Sequence, residues 1–268
     1  MSHFKFTRET EVHFGVTVHR IMATRDLPCG VEKGDLGGFL EKTSNLGGSA
    51  WVSGNARVYG DAHVYGNALV FGDAQVYGNA RVSGNALVYG DAQVYGDARV
   101  YGSAQVYGDA RVSGNAQVYG DAHVYGNAWV YGSAQVYGDA HVYGSAQVYG
   151  DALVYGNARV YGDAHVYGSA LVYGSALVYG NAHVYGDALV YGNALVDSID
   201  SIIVLQVPMK WSVTITRNLI FIGCQMFTRQ EILEISKEKA AELGLPVELY
   251  DAYKTMIQGA LSLVKEKP

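Results

Sequence analysis

Four histidines are the residues of this sequence whose type and spacing most suggest chemistry. They form two pairs with members 18 residues apart, His123 with His141 and His165 with His183. A neutral imidazole accepts a proton near neutral pH, so such a residue can act as a general base. In equivalent positions of the sequence, however, Gln, Arg and Leu replace His, which is typical of a solvated surface. Because no Ser/His/Asp constellation, phosphate-binding Gly loop or Cys/His metal spacing accompanies them, the four are runner-up catalytic candidates only.

A second regular set of polar residues follows the glycines of the sequence. The position after each of 24 evenly spaced glycines holds Asp ten times, Asn nine times and Ser five times. All three side chains stabilise turns by bonding to nearby backbone. Asp73, Asp91 and Asp109 would form a column of like charges, for which a bound cation is the alternative interpretation. The interleaved Asn and Ser elsewhere favour the turn role, so we predict neither a metal nor a cofactor.

Both sets belong to a six-residue unit, Ala-x-Val-Tyr-Gly-Asp/Asn/Ser, which recurs from Ala50 to Val196 without insertion or deletion. Val occupies 25 consecutive equivalent positions, an Ala stands two residues before each of them, and a Gly stands two residues after the first 24. The register extends back to Leu46 and Leu40. A fixed short period predicts a repeat architecture before any other signal is considered.

The unit also predicts its own local structure. Ala and Val are two residues apart, so in an extended segment both point to one side and residue x points to the other. Gly at the third place of the turn that follows supplies a positive φ. A helix is excluded, because a Gly in every sixth place would cost about 0.5–1 kcal/mol each relative to Ala. Each unit is therefore one short strand and one corner, and three units close a triangular coil.

This unit resembles the hexapeptide repeat of the left-handed parallel β-helix, in which an aliphatic residue and a small residue two places earlier fill a triangular prism. The resemblance covers residues 37–198 and implies an all-β solenoid of about nine coils, whose left-handedness comes from the family alone. The family includes acyltransferases, carbonic anhydrases, ice-binding proteins and plain scaffolds. Its acyltransferases are trimers with a His base between subunits, commonly beside a protruding loop. No such loop is predicted between Ala50 and Val196.

The start of the repeat carries a second resemblance. Residues 33–41, Lys-Gly-Asp-Leu-Gly-Gly-Phe-Leu-Glu, followed by Ser44, Asn45 and Leu46, are similar to the opening of a hexapeptide-repeat family common in phages and prophages. That family is mostly uncharacterised, so the similarity implies an origin rather than an activity. For a phage-type protein, the implied partner is a virion component or a host protein to be inhibited.

The outward residues define three faces when residue x is taken every 18 positions. The first face holds Trp51, Leu69, Leu87, Gln105, His123, His141, Arg159, Leu177 and Leu195. The second face holds Arg57, Gln75, Gln93, Arg111, Trp129, Gln147, His165 and His183. The third face holds His63, Arg81, Arg99, Gln117, Gln135, Leu153, Leu171 and Leu189.

The leucines and tyrosines of these faces are the candidate interaction residues. Leu153, Leu171 and Leu189, with Leu177 and Leu195, predict an apolar stripe that a C-terminal helix or a neighbouring subunit should cover. The residue after Val is Tyr in 20 of 24 repeats, and tyrosines one coil apart would lie about 4.8 Å apart, within stacking range. We interpret these columns as braces of the corners and, alternatively, as a protein-binding surface. Its candidate residues are Tyr89, Tyr107, Tyr125, Tyr143 and Trp129.

The segments outside the repeat are predicted to be end domains. Residues 1–36 predict a small β cap, in which Phe4 to Thr7 pairs with a strand from Val12 to Ala23. Residues 199–268 predict an α+β domain for capping or oligomerisation. Its predicted elements are strands at Ser201–Val207, Trp211–Thr216 and Leu219–Cys224, a helix from a Thr228/Glu231 capping box to about Leu243, and an amphipathic helix after Pro246.

Composition narrows the class of protein. A net charge of −6 and a pI near 5.7 argue against a nucleic-acid partner. Met1 to Thr10 has no apolar core and no 18-residue apolar run occurs, so neither a signal peptide nor a membrane span is predicted. Cys29 and Cys224 are interpreted as free thiols in a reducing cytoplasm. We predict a cytoplasmic scaffold or binding protein that acts through protein–protein contacts, as a homo-oligomer with a trimer favoured; the alternative is an acyltransferase that uses acyl-CoA.

Overall fold

A parallel β-helix forms the centre of the molecule. The computed structural model describes residues 2–205, 212–242 and 247–264. Strands β4 to β28 are the x and Val residues of successive units, from Trp51–Val52 to Leu195–Val196, and two of them extend to Gln105–Gly108 and His123–Gly126. They form three parallel sheets, one for each face, in which every residue pairs with the residue 18 positions later. The predicted all-β solenoid is confirmed.

The inside of the helix is a single apolar column. Every repeat Val from Val52 to Val196 and every Ala from Ala50 to Ala194 is completely buried. Full burial of a Val side chain contributes about 1.5–3 kcal/mol. Because all layers are alike and each contacts only its neighbours, the stability of the rod is a sum over adjacent coils.

The corners are held as tightly as the sides. The repeat glycines have φ between 61° and 75°, a conformation that other residues adopt only with strain. Backbone hydrogen bonds join consecutive coils here too, as between Asn127 N and Gly144 O at 2.8 Å. A Cβ on Gly126 would lie 3.1 Å from Gly144 N, so the close approach of coils at the corner also requires glycine.

A hairpin extends the second-face sheet at its N-terminal end. Strands β1 (Phe4–His13) and β2 (Val16–Ala23) are antiparallel, and β3 (Leu36–Leu40) pairs with β2 on one side and with the coil strand Arg57–Val58 on the other. The strand predicted from Val12 to Ala23 is wrong in its bounds, because the chain turns at Phe14 and Gly15, with φ of 46° and 81°. Phe is rare at a left-handed turn position, so the sequence does not signal this turn.

A four-stranded antiparallel sheet and three helices follow the β-helix. The strands are β29 (Ile202–Leu205), β30 (Val213–Thr216), β31 (Ile220–Ile222) and β32 (Gln225–Phe227), and the helices are α1 (Arg229–Glu234), α2 (Lys237–Glu242) and α3 (Tyr250–Leu263). The prediction missed β32. The strand end predicted at Val207 and the strand start predicted at Trp211 lie outside the described residues, as does the helix end predicted at Leu243.

The helices pack on this C-terminal sheet. The predicted capping box is confirmed, since Glu231 N donates to Thr228 Oγ1 at 3.2 Å and Thr228 N donates to Glu231 Oε2 at 2.7 Å. The single helix predicted from there is instead two, because the helix ends before Ile235. Helix α3 buries its apolar face in a cluster with β30 and β31. Among the described residues, no helix combines the length and apolar character that crossing a bilayer requires.

The inward column yields a first prediction. Val124→Asp places an unpaired carboxylate in the fully buried column, and we expect it to lower the free energy of unfolding by more than about 3 kcal/mol. His123→Asp introduces the same group one residue away on the outside and should cost no more than about 1 kcal/mol. Thermal melts followed by circular dichroism compare the two, and equal melting temperatures would contradict the inward assignment of Val.

Candidate functional site

The tyrosines form stacks along all three faces, which are interrupted where Ser replaces Tyr. On the first face, the rings from Phe71 to Tyr179 stack with centroids 4.8–5.1 Å apart and interplanar angles of at most 8°. This column contains Tyr89, Tyr107, Tyr125 and Tyr143, at the spacing expected from the coil repeat. Since each ring face contacts the next ring, the columns present ring edges outward. A role of these residues in binding stays a prediction.

Many of the tyrosines also contact residue x of the following coil, 16 positions later. At five of the six places where residue x is Gln, the Tyr hydroxyl donates to its Oε1, as between Tyr101 and Gln117 at 3.1 Å. The other such pairs are Tyr59–Gln75, Tyr89–Gln105, Tyr119–Gln135 and Tyr131–Gln147. Where residue x is His, its ring lies edge-on to the tyrosine, as for Tyr107 and His123 with centroids 6.2 Å apart. In the sequence, this contact corresponds to a correlation between the residue at the tyrosine position and residue x 16 positions later. Analysis of each position by itself misses this correlation.

Trp129 fills an interruption of the second-face column. The tyrosine position holds Ser113, and Trp129 stands 16 residues later. The Trp129 Nε1–H donates to Ser113 Oγ at 3.1 Å, and its ring lies 4.4 Å from that of Tyr131. Ser113 is consequently buried. This packing explains why the bulkiest side chain of the face occurs at this place, without requiring a partner.

The four candidate histidines lie on the faces predicted for them. The His123 and His141 rings stack at 4.8 Å and 4°, and those of His165 and His183 lie 4.8 Å apart at 34°. Burial lowers the pKa of His141, with smaller contributions from His123 and Arg159. Burial and then His183 lower the pKa of His165.

A catalytic base usually has a second group that orients its ring. Within the part of the chain that the structure describes, no hydrogen bond joins any of these four histidines to a carboxylate, and His123 Nδ1 is buried without a partner. The geometry therefore adds no support to a catalytic role, which remains the runner-up hypothesis.

The corner carboxylates bond to neighbouring corners. Asn55 Nδ2 donates to Asp73 Oδ1 at 3.1 Å, and Asn79 Nδ2 donates to Asp97 Oδ1 at 3.0 Å. At these two places, an Asn next to an Asp provides a hydrogen bond where a second Asp would add repulsion. In the described ranges, no group of three or more His, Cys, Asp or Glu residues is arranged to hold a metal ion.

The leucines of the third face form one column beside a tyrosine column. Leu153 pairs in register with Leu171, and Leu171 with Leu189; all three are half-buried. The adjacent rings of the third face, from Tyr137 to Tyr191, stack at 4.8 Å. We call these three leucines and the flanking tyrosines the leucine stripe. On the first face, Leu177 pairs with Leu195, which is 40% exposed.

The described part of the C-terminal sheet contacts the last coil of the leucine stripe. Leu189 N donates to Thr214 Oγ1 at 3.0 Å, and the Tyr191 ring lies 4.4 Å from that of Phe221. Burial raises the pKa of Tyr191 to about 12. Helix α3, one of the two covers considered for the stripe, packs on β30 and β31 instead.

The histidine pairs predict an acid-dependent loss of stability. The folded-state pKa values of His141 and His165 lie below the ordinary 6.5, so these two residues bind more protons in the unfolded chain as the pH falls. The stabilisation is complete above pH 6.5 and is lost progressively below it. Replacing His123, His141, His165 and His183 by Gln should flatten the dependence of the melting temperature on pH in the acid range, with little change at pH 8. A variant and parent that lose stability in parallel would contradict this.

The Trp129 packing predicts a coupled pair of substitutions. Trp129→Gln opens a cavity and should cost about 1–3 kcal/mol, and Ser113→Tyr should cost a similar amount by overpacking against Trp129. The double variant reproduces the Tyr131–Gln147 pair, so its stability should approach that of the parent. Chemical denaturation of all four proteins measures the coupling; additive losses would refute the proposed contact.

Comparison with known proteins supports the solenoid assignment. The family profile described as "YdcK Beta solenoid repeat" matches residues 50–65, 62–78, 74–90, 92–105, 104–120, 116–132, 134–150, 146–162, 153–168 and 158–174. No curated protein matches the chain. The family profile and the parallel sheets agree, and the chain is a β-solenoid repeat protein whose coils are similar to the YdcK solenoid repeat.

Proposed function

We propose that this chain is a rigid scaffold that acts through protein–protein contacts and associates with copies of itself through the leucine stripe. The observation that carries the proposal is the in-register column of Leu153, Leu171 and Leu189 beside stacked tyrosines. The stripe contains no charged side chain. It is also held by a backbone that is hydrogen-bonded from coil to coil, so little conformational entropy is lost when a partner binds.

A second copy is the occupant that the structure favours. Of the two covers considered, helix α3 is engaged with its own sheet, and the described part of the C-terminal domain is hydrogen-bonded to the stripe at its Leu189 end. Burying three leucines contributes up to about 1.5–3 kcal/mol each. A trimer with parallel axes is the assembly that the hexapeptide resemblance implies, and it leaves other faces open to a different protein.

We also propose a class of partner for those other faces. The resemblance to phage and prophage repeat proteins implies a virion component or a host protein. Acyl transfer at a histidine pair is the second hypothesis, but no observation of the described residues favours it, because neither pair has an orienting carboxylate.

Self-association predicts the effect of a triple substitution. Leu153→Gln, Leu171→Gln and Leu189→Gln together should reduce the molar mass measured by light scattering to that of the monomer. The fold should persist, because Gln117 and Gln135 occupy the same column. Leu69→Gln with Leu87→Gln on the first face is the matched control and should keep the parental mass. A monomeric parent would refute the proposal.

A further inference from the structure

The tyrosine column of the third face is interrupted once, at Ser83. Tyr65 lies one coil before this position and Tyr101 one coil after it. Tyr101 stacks on Tyr119 at 4.8 Å and, within the described ranges, has no ring partner on its Ser83 side. Tyr65 makes no ring contact among the described residues and is 46% exposed. Two coils separate these tyrosines by about 9.6 Å, so the interruption, which we call the Ser83 gap, has the height of one further ring.

Among the residues that the structure describes, no aromatic ring fills the Ser83 gap. At the comparable interruption on the second face, Trp129 packs on Ser113 and buries it. The residue 16 positions after Ser83 is Arg99, which is exposed, and Ser83 itself is only half-buried. The third interruption, Ser53, lies at the start of its column and therefore has a ring on one side only. The Ser83 gap is thus the internal interruption that stays open.

Positive charge lines the Ser83 gap. Arg81 pairs in register with His63 on one side and with Arg99 on the other, and all three are exposed. Neither arginine makes a salt bridge with a carboxylate in the described part of the chain. Like charges directly opposite each other on neighbouring strands are destabilising, so an anionic group beside the gap would relieve their repulsion.

The acidic residues at the corner that precedes the strands of His63, Arg81 and Arg99 already have partners. Asp61 binds Lys42, with Lys42 Nζ 2.9 Å from its Oδ1, and Asp97 accepts a hydrogen bond from Asn79. Asp61 and Asp97 lie at the corner that precedes the third-face strands, whereas Ser83 lies at the corner that follows them. The arginines therefore remain available to a ligand from outside.

We propose that the Ser83 gap binds an aromatic side chain of a protein partner and that Arg81 and Arg99 bind acidic residues next to it. The ring would complete the stack between Tyr65 and Tyr101, and a carboxylate would accept the two N–H groups that a guanidinium presents. Aromatic and arginine contacts are the ones that dominate interface energies. The inference rests on the proposed protein-binding function and specifies the chemistry of the partner.

A protein fits better than a nucleic acid. The two arginines and His63 span only three coils, and the chain as a whole carries a net charge of −6. Affinity for a nucleic acid depends on neutralising many consecutive phosphates. A short acidic segment with one aromatic residue requires only the charge that is present here.

The test uses isothermal titration calorimetry of the full chain with the peptide acetyl-Asp-Glu-Trp-Glu-Asp-amide. We expect the parent to bind and Ser83→Tyr to bind about tenfold more weakly or worse. The Ser83→Tyr variant should melt no lower than the parent, because Tyr holds this place in 20 of 24 repeats. Ser83→Ala keeps the gap and should retain binding. Arg81→Gln with Arg99→Gln should weaken binding and reduce its dependence on salt.

Two controls separate the ring from the charge. A peptide with Leu in place of Trp should not bind measurably. Tyr137→Ser, introduced together with Ser83→Tyr, opens a gap beside Leu153 with no arginine in the adjacent positions, and it should not restore binding.

Three results would overturn the inference: no binding by the parent, equal binding by Ser83→Tyr, or binding of AMP as tight as that of the peptide, which would indicate a nucleotide ligand. Light scattering on Ser83→Tyr should give the parental mass, since the leucine stripe lies elsewhere. Failure of this inference is therefore distinguishable from failure of self-association.

Discussion

The rest of the structure depends on the hydrogen bonds that join each coil to the next. His123 N donates to Ala140 O at 2.9 Å and Asn127 N donates to Gly144 O at 2.8 Å, so both sides and corners advance by one strand spacing per coil. This spacing leaves no room for a Cβ at the corner, which explains the invariant glycine of the unit. It also fixes the distance between equivalent side chains, which is close to the spacing at which aromatic rings stack.

Because of this constraint, each residue lies directly beside the equivalent residues of the coils before and after it. The arrangement favours Val, Leu, Tyr and Gln, whose like pairs attract or are neutral, and it opposes columns of charge. The molecule relieves charge in different ways at different places. In one corner column Asn79 lies between Asp61 and Asp97 and donates to Asp97, and Glu11 of the N-terminal hairpin forms an ion pair with Arg57. Arg81 and Arg99 are neighbours on the third face and form no such ion pair within the described residues.

The inward half of the structure could be predicted from the sequence and much of the outward half could not. A period of six determines which residues face the core, so the buried Val and Ala columns, the corners and the stacking distance follow from it. The contact between a tyrosine and the residue 16 positions later depends on how the side chain lies across the corner, which periodicity does not specify. Phe14 in a left-handed turn, the helix break at Ile235 and the packing of α3 on its own sheet depend on tertiary contacts that override local preference.

The packing of the β-helix core does not depend on the number of units, whereas the arrangement of its surface residues does. Gain or loss of one hexapeptide keeps Ala stacked on Ala and Val stacked on Val in the buried columns. It moves every outward residue after the change to the next of the three faces. Loss of one unit between Ser83 and Leu153 would carry the leucine column from the third face to the second, together with the C-terminal domain. Only changes by three units preserve the faces. Recombination between such similar repeats would therefore produce stable proteins in which surface residues lie on different faces. Selection for folding alone would not keep each residue on its face, so selection for the function of the surface must do so.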